Sequence, residues 1–278
     1  MFRFAVWLPA AVFVLTGVVS SPAVIADNLY RFGVVPQQAA AKLARLWGPV
    51  MEYLSAKSGL NIQFATAPHI TEFEHRLEQG RYDFAYMNPA VFADPHRATA
   101  YHAIARDVGN RLQGVVVVRK DSPVRTVAEL DGLTLAFPSS TAFAASLVPR
   151  AELKARGVRV TPRYVRSHDS VYYAVARGLY PAGGGVRRTL ESVAPDIRAA
   201  LRVLYVTQSY TPHAFAVHER VSPADAGRVQ QALMEMAGDP QGRVLLQTLH
   251  MKRLGVARDQ DWDDVRALDF SSLDAGAR

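Results

Sequence analysis

The chain has 278 residues, 49 % of them apolar, a formal net charge of +7 and no cysteine. This length and apolar fraction support one large core or two smaller ones and exclude a disordered chain, while the missing thiols exclude a disulfide framework, a cysteine nucleophile and a cysteine-held metal. The basic surplus is scattered, with Arg119 and Lys120, Arg187 and Arg188, and Lys252 and Arg253 as the only adjacent pairs. It therefore reads as solvated faces plus a mild positive field for an anionic ligand rather than as a nucleic-acid surface.

Arg3, an apolar run at 4–19, and Val24 and Ala26 at small-residue positions read as an export leader, residues 1–26, with Ala26 the last residue removed, which predicts a mature protein outside the cytoplasm, or one held at the membrane if the leader is kept. The run is short for a spanning helix, and no later segment reaches 18 uninterrupted apolar residues. A strand at 30–35 follows, then a helix with Leu43, Leu46, Trp47, Val50, Met51 and Leu54 at helical spacing, ended by Ser58 and Gly59. A strand at 61–66 precedes a helix opened by a Thr71 and Glu74 capping box and closed by Gly80; the strand 82–87 then ends at Asn88 and Pro89. Next come a strand at 114–118, a second box at Thr126 and Glu129, a strand at 133–137 and a helix to about residue 156. A strand at 158–165, a helix at 170–177 and a glycine-rich turn or strand at 182–186 follow. Strands at 202–206 and 213–217 precede a helix opened by Ser222 and Pro223, and the tail after Leu268 reads as frayed. Alternating strands and helices predict an α/β fold with largely parallel sheets, here in two units with a ligand cleft between them.

Four segments carry candidate chemistry. Pro138 stops an apolar strand, and Ser139, Ser140 and Thr141 stand at the mouth of the next helix, whose free N–H groups and dipole favour an oxyanion. Ser167, His168, Asp169 and Ser170 open a later helix. Sulfate offers only acceptors at neutral pH, whereas phosphate, phosphite and phosphonate can carry a proton, which Asp169 could accept while His168 donates to the anion. In YDFAYMNP, Tyr86 lies nearest the strand end and Asn88 at the carboxyl edge, where such folds bind ligands. Gln37 lies in the fourth segment, between the first strand and the first long helix.

These segments, in this order, together with VVVRKDSPVRTVAELDGLTLAFPSSTAFAAS, YVRSHDSVYYAV and YTPHAFAVH, resemble the periplasmic solute-binding proteins of phosphate, phosphite and phosphonate ABC importers, the phosphonate-binding branch of the type II periplasmic binding fold. The resemblance implies two hinged lobes, each a mixed, mostly parallel sheet flanked by helices, with lobe 1 at 27–117 and 209–278 and lobe 2 at 118–208. It implies a small oxyanion held by Ser139, Ser140, Thr141, Tyr86 and His168, with Tyr210 to His213 near the second hinge. It also implies a monomer that meets a membrane ABC permease and needs no cofactor or metal. The chain departs from the pattern at Pro181, where an acidic residue is common, and at Gly183, Gly184 and Gly185, which read as backbone N–H groups brought to an anion or as a permissive turn. The alternatives are a ligand-sensing domain feeding a separate membrane sensor, and a hydrolase. His168 and Asp169 are sequence neighbours and cannot form a catalytic relay, no G-x-S-x-G elbow occurs, and the eight histidines show no metal spacing.

Overall fold

The computed structural model describes residues 1–2, 29–97, 100–270 and 273. The apolar run and cleavage site of the expected leader lie outside the described residues. Among the described residues, no helix is long and apolar enough to cross a membrane. In chain order the elements are β1 (Leu29–Val34), α1 (Ala40–Ser58), β2 (Asn61–Ala65), α2 (Ile70–Glu78), β3 (Phe84–Met87), α3 (Pro89–Ala93), β4 (Tyr101–Asp107), β5 (Leu112–Arg119) and β6 (Thr134–Phe137). A π-helical segment (Phe143–Leu147) then runs into α4 (Val148–Ala155), followed by β7 (Thr161–Tyr164), α5 (His168–Ala176), β8 (Ala182–Val186), α6 (Arg187–Glu191), α7 (Pro195–Ala199) and β9 (Leu201–Tyr210). The chain closes with β10 (Ala214–His218), α8 (Pro223–Glu235), α9 (Pro240–Thr248), β11 (Leu254–Val256) and α10 (Asp263–Arg266).

The strands form two sheets, ordered β11-β4-β10-β3-β1-β2 and β7-β6-β8-β5-β9. Each has a parallel trio, β2-β1-β3 in one and β7-β6-β8 in the other, extended by antiparallel strands. The chain crosses between sheets at 108–111 and returns at 211–213. The expected change of lobe at 117/118 therefore falls inside β5, whose Val115, Val116, Val117 and Val118 are fully buried between β8 and β9. β9 likewise stays in the second sheet to Tyr210, two residues beyond the expected return.

Local chemistry explains most element ends. Gly59, at φ +70°, closes α1 with its N–H on the Ser55 carbonyl, and Leu43, Trp47, Val50, Met51 and Leu54 bury the inner face of the helix. α2 starts earlier than its expected capping box. His69 Nδ1 accepts from Glu72 N at 3.2 Å, while Glu74, expected to complete the box with Thr71, is turned inward and buried. At the second box, Glu129 accepts from Arg125 N and the Thr126 hydroxyl at the head of a single 3-10 turn. The tail also differs from expectation: Phe270 packs edge-on against Phe143, and the Leu273 carbonyl accepts from Arg150 Nη2 at 3.1 Å.

β8 is the central strand of its sheet and carries the glycine run. It is neither a turn nor an anion cradle; its missing Cβ atoms let helices press onto the sheet. A Cβ on Gly184 would sit 2.1 Å from the Ala145 carbonyl, and one on Gly185 would sit 2.1 Å from the Tyr172 hydroxyl. The π-helical segment consequently lies directly on β8 and β5, with its N-terminus between the sheets.

Candidate functional site

A small cavity lies between the two sheets. Val35 and Gln37 reach it from the end of β1, Ile70 from the start of α2, Asn88 from the end of β3, and Val186 from the end of β8; residues 142–145, His168 and His213 complete the wall. Carboxyl ends of parallel strands and the beginnings of helices thus converge there, as the α/β topology requires. Ser139 Oγ accepts from Ala142 N at 3.0 Å and so holds the turn that leads into the π-helical segment, whose N-cap residue is Ala142. Ser146 N and Leu147 N both turn back to the Ala142 carbonyl, so Phe143, Ala144 and Ala145 fall in the first turn, where N–H groups precede intrahelical bonding. Asn88 is locked by three bonds: its Oδ1 accepts from Val91 N at 3.1 Å, and its Nδ2 donates to Glu74 Oε1 at 3.2 Å and to the Thr141 carbonyl at 3.5 Å.

Beside the cavity, Arg188 bridges the lobes. Its Nη1 donates to the Tyr86 hydroxyl at 2.7 Å and its Nη2 to Gln37 Oε1 at 2.8 Å. Gln37 Nε2 lies 3.1 Å from His213 Nε2, and the His213 ring stacks on Tyr86. On the other wall, His168 Nδ1 meets Thr189 Oγ1 at 2.9 Å, and the His168 backbone N–H donates across the cleft to the Gln37 carbonyl at 2.9 Å. Burial, reinforced by the Arg188 charge, pushes His168 down to about 3 and His213 well below the usual imidazole range, so both rings are neutral near pH 7. Burial pushes the Glu74 carboxyl up, and Arg97, at 3.0 Å, opposes that shift.

The structure brings Gln37, Asn88, His168 and His213 to one cavity, with Tyr86 one contact behind. It places the others elsewhere. Ser139 and Ser140 line a separate outer depression with His69, Thr71, Tyr164 and Arg166. Thr141 follows them, 3.4 Å from Ser139 Oγ, and its carbonyl accepts from Asn88 Nδ2 at 3.5 Å. Asp169 does not reach the cavity: it pairs with Lys42 at 3.7 Å in a crevice on another side of the cleft, which it lines with Ser167. Ser167 caps α5 by accepting from Ser170 N at 3.1 Å. Tyr210 packs edge-on against Phe143 at the end of β9. Pro181 precedes β8 at the end opposite the cavity, so its departure from the family pattern lies away from the lining. Sequence reasoning missed Arg188, read there as a solvated basic pair with Arg187, as well as Thr189 and Glu74.

Residues 32–262 match the family described as ABC transporter, phosphonate, periplasmic substrate-binding protein. The chain belongs to this family. Members of the family bind substrate for an ABC transporter, so the chain's role is capture rather than catalysis. Among curated proteins, none matches the sequence. Among solved structures, the fold is similar to a binding-protein component of a phosphonate ABC transporter from Pseudomonas aeruginosa, at TM-score 0.78 and 15% identity over 86% of this chain and 85% of that one. It is also similar to PhnD1 from Prochlorococcus marinus in complex with methylphosphonate, at TM-score 0.79 and 15% identity over 86% and 96%. A third similar structure is XAC2383 from Xanthomonas citri bound to chloride ion, at TM-score 0.68 and 19% identity over 86% and 98%. At these identities the likeness establishes the two-lobed binding-protein fold.

Proposed function

We propose that the chain captures a phosphorus oxyanion, a phosphonate, phosphite or phosphate, in the cavity between its lobes and delivers it in the periplasm to a membrane ABC permease. It does so as a monomer without a cofactor, after loss of residues 1–26. The observation that carries this reading is the convergence of the first-turn N–H groups at 143–145 with His213 on one small cavity, which Asn88 and His168 also line, next to the Arg188 guanidinium. No carboxylate lines that cavity among the described residues, and Arg188 has no carboxylate within ion-pair distance among them. A bound anion would therefore meet donors and a positive field without a competing negative group. A micromolar site needs about 8 kcal/mol. Hydrogen bonds to a charged group contribute roughly 1.5–3 kcal/mol each, so four or five converging donors suffice after the costs of closing the lobes. The methylphosphonate held by the similar PhnD1 fold supports the same ligand class here.

Calorimetric titration with phosphate, phosphite, methylphosphonate, 2-aminoethylphosphonate and sulfate tests the reading. At least one phosphorus oxyanion should bind with 1:1 stoichiometry at micromolar affinity or better, and Arg188→Ala should weaken it at least tenfold. An absence of heat with all of the phosphorus anions would overturn it.

A further inference from the structure

Which atoms the two cavity histidines offer is written in their partners. Arg188 only donates, so the Gln37 side chain must turn its oxygen toward Arg188 and its NH2 toward His213. His213 Nε2 is thereby an acceptor, and the single proton of the neutral ring sits on Nδ1. That nitrogen is buried in a residue 3% exposed and meets no hydrogen-bond partner among the described residues. His213, which lines the cavity, thus carries an N–H that is still to be satisfied.

His168 has the opposite polarity. Its Nδ1 faces a buried cluster in which the Tyr172 hydroxyl accepts from Val186 N at 3.1 Å, Tyr172 and Thr189 hydroxyls lie 2.8 Å apart, and both lie 3.0 Å from the Val186 carbonyl. Two hydroxyl protons must serve three oxygen–oxygen contacts. If Nδ1 carries a proton, it donates to Thr189 and only one of those contacts is left without hydrogen. If it does not, Thr189 spends its proton on the ring and two are left bare. The first arrangement is favoured, and it leaves Nε2 of His168, a residue of the cavity wall, with a lone pair. Gly185 makes the cluster possible, because a Cβ there would collide with the Tyr172 hydroxyl.

We infer that the cavity reads the proton on its ligand: Thr189 fixes His168 as an acceptor and Gln37, oriented by Arg188, fixes His213 as a donor, so the site favours oxyanions that carry both a bare oxygen and an O–H. The inference rests on the oxyanion reading above and narrows it. Phosphate and hydrogen phosphonates satisfy both imidazoles, whereas sulfate presents an oxygen lone pair to the His168 lone pair. The acceptor role that the sequence suggested for Asp169 passes to its neighbour, and Thr189 is a positioning residue acting through the ring.

Imidazole nitrogen chemical shifts of the ligand-free full chain, labelled with 15N histidine, test the polarity without any ligand. His168 and His213 should both show a protonated Nδ1 and a pyridine-like Nε2, assigned by the loss of one signal set in His168→Gln. Thr189→Val should move His168 toward the Nε2–H form and Thr189→Ser should restore it. Titration with inorganic phosphate and with sulfate then tests the selection: phosphate should bind at least tenfold more tightly, and Thr189→Val should shrink that ratio by about tenfold with recovery in Thr189→Ser. An Nε2–H tautomer at His168 in the unsubstituted chain, or an unchanged ratio in Thr189→Val, overturns the inference. Failure of phosphate to bind overturns the selection, whereas the oxyanion reading falls only if phosphite and the phosphonates fail as well; the tautomers report separately on the cluster.

Discussion

His168 and Asp169 show how much one helical step decides. Successive residues on a helix point about 100° apart, so the imidazole enters the cavity while the carboxylate swings to Lys42. Their residue types were legible in the sequence, but which of the two faces the ligand depends on how α5 is rolled against the sheet. Arg188 was harder to see, because nothing near it in sequence separates it from Arg187; only the cleft contacts to Tyr86 and Gln37 do so. Burying His168 as a neutral ring has a consequence for stability. Its pKa is depressed to about 3 in the folded chain, against about 6.5 when unfolded. The unfolded chain therefore binds more protons between these values, and stability falls as pH drops from about 6.5 toward 3. Glu74, shifted upward, acts in the opposite sense, its contribution fading as pH rises through its raised pKa. Thermal denaturation of ligand-free protein from pH 7 to pH 4.5 should show a falling Tm, with a shallower fall in His168→Gln; equal slopes would contradict the assignment.

At the level of elements, the serine-rich turn was recognised for the right local reason and given too wide a role. The small hydroxyls do precede a helix, but its N-cap residue is Ala142, and Ser139 braces the turn before it. The groups directed at the cavity, however, are the main-chain N–H groups that follow, placed by a π-helical segment that glycines in β5 and β8 allow onto the sheet. A 183–185 glycine run looks like a turn until its flanking strands are known, because close approach by a helix leaves no pattern in a single sequence. Ser139→Ala should cost about 1 kcal/mol, the usual value of a lost hydrogen bond, and lower Tm by about 2–4 °C. Affinity for phosphate should change less than threefold. A tenfold loss at unchanged Tm would instead make the hydroxyl a ligand contact.

At the level of the whole molecule, the alternation of strands and helices was enough to predict two α/β units, because hydrophobic spacing repeats locally along the chain. Where the chain crosses between them was not, since β5 and β9 are apolar strands that could complete either sheet until pairing is known. The lobes share packed apolar contacts, such as Phe143 on Phe270, and a set of polar bonds near the cleft. Arg188 reaches Tyr86 and Gln37, the His168 N–H reaches the Gln37 carbonyl, and Lys42 Nζ reaches the Ser192 carbonyl at 2.5 Å. These bonds surround the cavity, so closing the lobes and assembling the anion's donors are one event. A crystal structure of the protein grown with methylphosphonate tests this most directly. The account predicts phosphonate density enclosed between the lobes, within hydrogen-bond distance of the 143–145 amides and His168. Density confined to the outer depression at Ser139 and Ser140 or to the Lys42 crevice, with this cavity unchanged, would contradict it.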